Sequence, residues 1–254
     1  MLNRCDSGTD SIVWMEEDCR ITVFLCPESM LRAFFYEVMS MKFSVTKTVL
    51  IGMLAAIAYI VVFLIRIPVI MFLSYEPKDV IITIGGFLLG PLAAFSTSLV
   101  VSLVEMLTIS STGPIGALMN LLSTCAFACT AAILYKRKHT LGGAVLGLGL
   151  GTAAMVVIML LWNWLITPMY MGQPREAVEA MLIPVFLPFN ALKAGLNSAL
   201  VLLLYKPLVS ALRKTGLAEA SAKKPGSSKI GIYLLGAALL ATCILLLLVF
   251  QGKL

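Results

Sequence analysis

Apolar residues fill most of the chain in runs of roughly ten to thirty, separated by short basic, glycine-bearing or proline-bearing segments, and this pattern predicts membrane-crossing helices. The runs extend from Thr46 to Ile65, Val80 to Leu89, Leu92 to Ile109, from the turn Ser110 to Gly116 onward to Tyr135, from Leu141 to about Pro168, from Ile183 to Leu212, and from Ile230 to Phe250. The second and third are short and are divided by Gly90-Pro91, and a polar loop, Gly172 to Ala180, leads to the sixth. None has the short alternating segments of a β-barrel. After Arg66, the stretch IPVIMFLSYEPKDV contains Pro68 and Pro77, which argue against one continuous helix. An apolar non-helical loop carrying Tyr75, Glu76, Lys78 and Asp79 reads as a plug or lid.

Polar residues inside the runs carry the functional signal. In Phe186 to Tyr205, Asn190, Lys193 and Asn197 are spaced to share one helical face within an otherwise apolar segment. A lysine at membrane depth costs about 3 kcal/mol or more, so it usually faces a bundle interior or a water-filled path. A snorkelling lysine, a structural ion pair, or asparagines that only tie helices together are the plainer readings. Glu105 lies near the end of the third run, either hydrated at the interface or engaged in ligand binding or ion pairing. Asn120, with Ser123 and Thr124, marks one side of the fourth run, and Asn163 sits between Trp162 and Trp164 near the end of the fifth. The last run has no charge and no polar stripe, and reads as an anchor.

Composition sharpens this picture. The chain has 254 residues, of which 60% are hydrophobic and 13% charged, with a mean hydropathy of +0.99; it lacks the polar surface that a soluble domain needs. The fold class is therefore an all-α integral membrane protein. The net charge of +6 is unevenly distributed. Residues 1–40 carry three Arg and seven Asp/Glu, a balance of −4, which leaves +10 for residues 41–254, mostly in short loops. On alternate sides of the runs, Lys42, Lys47, Lys136, Arg137, Lys138, Lys206, Arg213, Lys214, Lys223, Lys224 and Lys229 oppose Arg66, Lys78, Arg175 and Lys253; eleven against four places the start of the first run in the cytoplasm. The bias is one of topology, and nucleic acid is not an implied partner. The six Cys show neither zinc nor disulfide spacing, and no metal site is expected.

The domain organisation follows. Residues 1–40 contain no span and no signal-peptide pattern, which suggests a natural start at Met39 or Met41, with a genuine cytoplasmic extension as the alternative. A membrane domain covers 41–212, a basic linker 213–229, and an extra C-terminal transmembrane helix 230–254. With this orientation, Asn120, Asn163 and Asn190 fall ~8–10 Å from the outer ends of their helices, Glu105 ~6 Å and Lys193 ~15 Å. The convergence predicts an outward-facing pocket beneath the 66–79 lid. Carboxamides, one ammonium and little excess charge suit a flat heteroaromatic with a lactam-like edge. There is no Walker A, HExxH or GxSxG sequence.

Four stretches, FLSYEPKDV with Gly85 to Pro91, Glu105 to Asn120, Trp162 to Tyr170, and Pro188 to Pro207, together resemble the riboflavin-specific substrate-binding (S) components of energy-coupling factor (ECF) vitamin transporters. The resemblance covers about residues 42–212. It implies a bundle of six helices enclosing the vitamin on the outer side, with Asn163, Asn190 and Lys193 on the isoalloxazine edge and Phe72, Leu73, Ser74 and Tyr75 covering it. Asn197, Asn120 and Glu105 complete the candidate pocket. The resemblance also implies a membrane coupling subunit and two cytoplasmic ATPases as partners, docking on the small residues Gly52 and Ala56 of the first helix. Gly52 stands where the family pattern has the first alanine. Riboflavin is then the transported ligand and no cofactor is expected. The alternatives are an S component for another vitamin or for flavin mononucleotide, whose phosphate Arg66, Lys78 or Arg175 could meet. An intramembrane enzyme using Glu105 and Lys193 as acid and base is a reading from another class.

Overall fold

The computed structural model describes residues 45–70, 73–110, 113–214, 236–244 and 248. The 1–40 segment, most of the linker and Phe72 lie outside the described residues. The bundle begins with α1 (Val45–Leu64), followed by an antiparallel hairpin of β1 (Ile67–Ile70) and β2 (Leu73–Tyr75). Next come α2 (Lys78–Leu89), α3 (Pro91–Thr108), α4 (Gly113–Lys138) and α5 (Leu141–Leu165). Short helices α6 (Thr167–Met171) and α7 (Arg175–Met181) lead through a π-helical segment, Leu182–Phe186, into α8 (Leu187–Lys214). This is the expected all-α membrane bundle. Among the described residues, five helical stretches are long and apolar enough to cross a membrane: α1, α3, α4, α5 and the run from Arg175 to Tyr205.

Two expectations from the sequence change. The 66–79 segment is not an irregular loop: Ile67 pairs with Tyr75 and Pro68 with Ser74, while Lys78 and Asp79 already belong to α2. Its short length and prolines hid the pairing. Residues 172–180 include α7 and are not simply a polar loop, because Pro174 starts a helix at the position where its missing N–H costs nothing. Gly90, at a φ of 102°, makes the sharp turn between α2 and α3 that a side chain would strain.

Packing places α4 at the centre. From Ala126 to Tyr135 every side chain is buried, as expected for a helix surrounded by others. α5 approaches it through glycine: a Cβ on Gly147 would lie 2.8 Å from the Ala131 carbonyl oxygen, and one on Gly151 would lie 2.7 Å from that of Phe127. α1 is peripheral. It buries Ile51, Ala55, Ala58 and Val62 but exposes Val49, Met53, Ile57, Ile60 and Phe63, with Gly52 and Ala56 also outward. Of the expected final span, residues 236–244 are helical and run along α8, where a Cβ on Gly195 would meet Cys243 Sγ at 3.0 Å. The remainder of Ile230 to Phe250 lies outside the described residues.

Candidate functional site

The site grows from the start of α2. This helix has only 12 residues, rising ~18 Å, less than the ~30 Å of a bilayer core, so its first turn begins inside the bundle. Lys78 and Asp79 are consequently buried at 1% and 0% exposure, and the preceding hairpin packs on α8 through Leu73 and Tyr75. Charges at that depth need partners, and the neighbouring elements supply them. Lys78 Nζ lies 2.7 Å from Glu76 Oε2 and bonds Glu105 of α3, which also accepts from Asn120 Nδ2 of α4 at 3.3 Å. Arg66, where α1 meets the hairpin, reaches Glu76 Oε1 at 3.3 Å.

A second cluster centres on Asp79. Its Oδ1 accepts from Thr124 Oγ1 at 2.7 Å, and its Oδ2 accepts from Asn197 Nδ2 at 3.1 Å and faces Lys193 Nζ at 3.5 Å. The Tyr75 hydroxyl donates to Asn197 Oδ1 at 3.1 Å, joining the hairpin to this cluster. Three cations (Arg66, Lys78, Lys193) thus face three carboxylates (Glu76, Asp79, Glu105), and the group is charge-balanced. Burial pushes the Glu76 carboxyl up, but Lys78, Lys193 and Arg66 outweigh it and hold it below the ordinary carboxylate range. Burial, reinforced by the Asp79 charge, pushes the Tyr75 phenol up, so it stays a proton donor.

Between these clusters lies a cleft lined by Arg66, Leu73, Ser74, Glu76, Gly116, Met119, Asn120, Ser123, Met159, Phe189, Asn190 and Lys193. It holds about 480 Å³ of atom-free space counted out to its open mouth, much of it too narrow for water. Of the residues expected from the sequence, Leu73, Ser74, Asn120, Asn190 and Lys193 line it. Glu105, Asn163, Asn197 and Tyr75 sit behind its walls. Asn163 donates to the Met159 carbonyl at 2.7 Å and accepts from Thr167 at 2.9 Å; Asn190 donates to the Phe186 carbonyl at 2.8 Å. Glu105 and Lys193 are not partners: each has its own counter-ion. Sequence reasoning placed Glu76 and Asp79 in the lid but not at the centre of ion clusters, and it did not single out Met119, Met159 or Phe189. The signal for Asp79 was its place one residue after Lys78, legible only once Pro77 is seen as a helix start. Among the described residues no cluster of three or more His, Cys, Asp or Glu side chains could hold a metal.

The sequence pattern of the ECF transporter substrate-specific component matches residues 46–205. The chain belongs to the family of ECF transporter S components. It is 27% identical over 177 residues to the riboflavin transporter RibU of Staphylococcus aureus (strain TCH60), covering 66% of this chain and 93% of that protein. It is 29% identical over 161 residues to the riboflavin transporter FmnP of Bacillus subtilis (strain 168), covering 59% and 84% respectively. A solved structure of the S component of a bacterial ECF transporter superposes with a TM-score of 0.57 at 27% identity, over 66% of this chain and 98% of that one. This S component is a multi-pass membrane protein and a transport subunit, not an enzyme. The residues that match the family pattern end at Tyr205, so the 236–244 helix lies beyond it.

Proposed function

We propose that this S component binds riboflavin from the outer side of the membrane and delivers it through a complex with a membrane coupling subunit and two cytoplasmic ATPases. The observation that carries the reading is the wall formed by Asn190 and Lys193, one helical turn apart and both lining the cleft under the hairpin. An ammonium and a carboxamide complement the carbonyl oxygens and lactam N–H of a flavin edge, while Met119, Met159 and Phe189 offer apolar surface to the rings. The two riboflavin-transporting relatives support the same ligand. The cleft is narrow, so entry requires the hairpin to move, with Leu73 and Ser74 covering the bound ring. The exposed Gly52 and Ala56 face of α1 is the docking surface for the coupling subunit.

A phosphorylated flavin fits less well. Arg66 is paired with Glu76, Lys78 lies between two carboxylates, and Arg175 stacks over Trp164 at 5.4 Å. An added phosphate would have to draw one of these cations from its partner.

The test is detergent-purified protein. It should carry or take up riboflavin with a flavin visible spectrum, and flavin mononucleotide should compete poorly. Lys193→Met should weaken riboflavin binding by ~10–100-fold, the equivalent of a ~1.5–3 kcal/mol charged hydrogen bond. Protein that shows no flavin spectrum and no riboflavin titration would refute the reading.

A further inference from the structure

Three observations are left over from the account of the cleft. Asp79 is completely buried, lies behind the cleft wall, and holds three side chains from two other elements: Thr124 of α4, and Asn197 and Lys193 of α8. Asn197, also fully buried, uses both ends of its carboxamide, accepting from Tyr75 of the hairpin and donating to Asp79. Lys193 reaches Asp79 only at 3.5 Å, an attraction between charges without a close hydrogen bond, and it lines the cleft.

We infer that Asp79 and Asn197 are positioning residues that couple closure of the β1–β2 hairpin to the orientation of the Lys193 ammonium toward the ligand. The argument is one of competition for acceptor capacity. A carboxylate has about four lone-pair sites, and an ammonium has three donors. With Tyr75 in place, Asn197 is fixed in the orientation that points its Nδ2 at Asp79, and Thr124 occupies the other oxygen. Asp79 is then largely satisfied by neutral donors, and it holds Lys193 near without consuming its protons. When the hairpin swings away, Asn197 loses the donor that fixes its amide. Asp79 in a dry site then draws Lys193 into a direct hydrogen bond, away from the cleft. Lid closure and readiness of the pocket lysine become one event. Tyr75 serves this role well, because burial keeps its phenol protonated.

The inference rests on the proposed recognition of riboflavin by Lys193, and the test separates the two. Riboflavin dissociation constants are measured for wild type, Tyr75→Phe, Lys193→Met and the double variant, and Asp79→Asn is measured alone and with Lys193→Met. Tyr75→Phe keeps the ring and its packing, and should weaken binding roughly three- to tenfold. In the Lys193→Met background it should change affinity less than about twofold, because the orientation it controls no longer matters. Asp79→Asn should behave the same way with a larger single effect. If it does not fold, the Tyr75 cycle decides alone. A purely structural role would lower the melting temperature and leave the affinity changes additive. Additive changes in a protein that binds riboflavin overturn the inference while leaving the function intact; a wild type that does not bind riboflavin removes both.

Discussion

Glu76 shows how one residue is kept charged where burial opposes charge. It is 4% exposed, yet Arg66 and Lys78 lie within 3.3 Å and 2.7 Å of its oxygens, and together with Lys193 they lower its proton affinity. A group whose folded value is depressed contributes stability above the unfolded value, about 4.3 for glutamate, and that stability is lost as pH falls through the lower folded value. Glu76→Gln should therefore melt below wild type near neutral pH, and the gap should close as pH falls below about 4. Thermal melts in detergent from about pH 7 to about pH 3 check this; a gap that stays constant over that range would show that the charge of Glu76 contributes nothing. The legible part at this scale was Asn190 and Lys193, because a polar side chain in an apolar run stands out whatever its partners. Their partners were not legible. Glu105 looked available to Lys193, but Lys78 claims it, and that depends on α2 starting one helical turn inside the bundle.

Between elements, the decisive contact is the α4–α5 pair. Gly147 and Gly151 let the two backbones meet at a distance no Cβ would permit, and the buried face of α4 is rich in alanine for the same reason. The glycines of Leu141 to Gly151 are not equivalent: nothing lies within 4 Å of a Cβ built on Gly149. Gly151→Ala should lower stability by ~1–3 kcal/mol, the cost of overpacking against the Phe127 carbonyl. Gly149→Ala should be neutral or stabilising by ~0.5–1 kcal/mol, since alanine is the better helix former and meets no obstacle. Equal melting temperatures for the two variants would mean that the helices do not pack at this distance. The sequence shows a glycine-rich helix start, whereas the periodic choice of which glycines are used belongs to the partner helix.

Across the whole molecule, the basic residues are gathered at alternate ends of the apolar runs, which predicts a cytoplasmic start for α1 and an outward α6–α7 connection. Cysteine introduced by Gln173→Cys should be labelled in intact cells by a reagent that does not cross the membrane. His139→Cys, beside Lys136, Arg137 and Lys138, should be labelled only after permeabilisation. The reverse pattern would invert the bundle and turn the cleft toward the cytoplasm. Both substitutions are made in a background whose six native cysteines are replaced by serine or alanine, so that only the introduced thiol can react.

The sequence by itself determined the solvent, the approximate bounds of the long helices, the charge asymmetry and the lysine–asparagine face of α8. These follow from local composition and periodicity: a bilayer demands long apolar helices, and a polar residue within one needs a reason. Only the tertiary structure decided how the 66–79 segment pairs into a hairpin, and which carboxylate answers which cation. It alone revealed Asp79 as the residue that gathers α2, α4 and α8 around one charge. Those choices rest on distances between side chains far apart in the chain, as with Asn197 and Asp79, 118 residues apart. No local pattern encodes such a pairing, because in the dry interior a buried charge takes its partner from whichever element packing brings within reach.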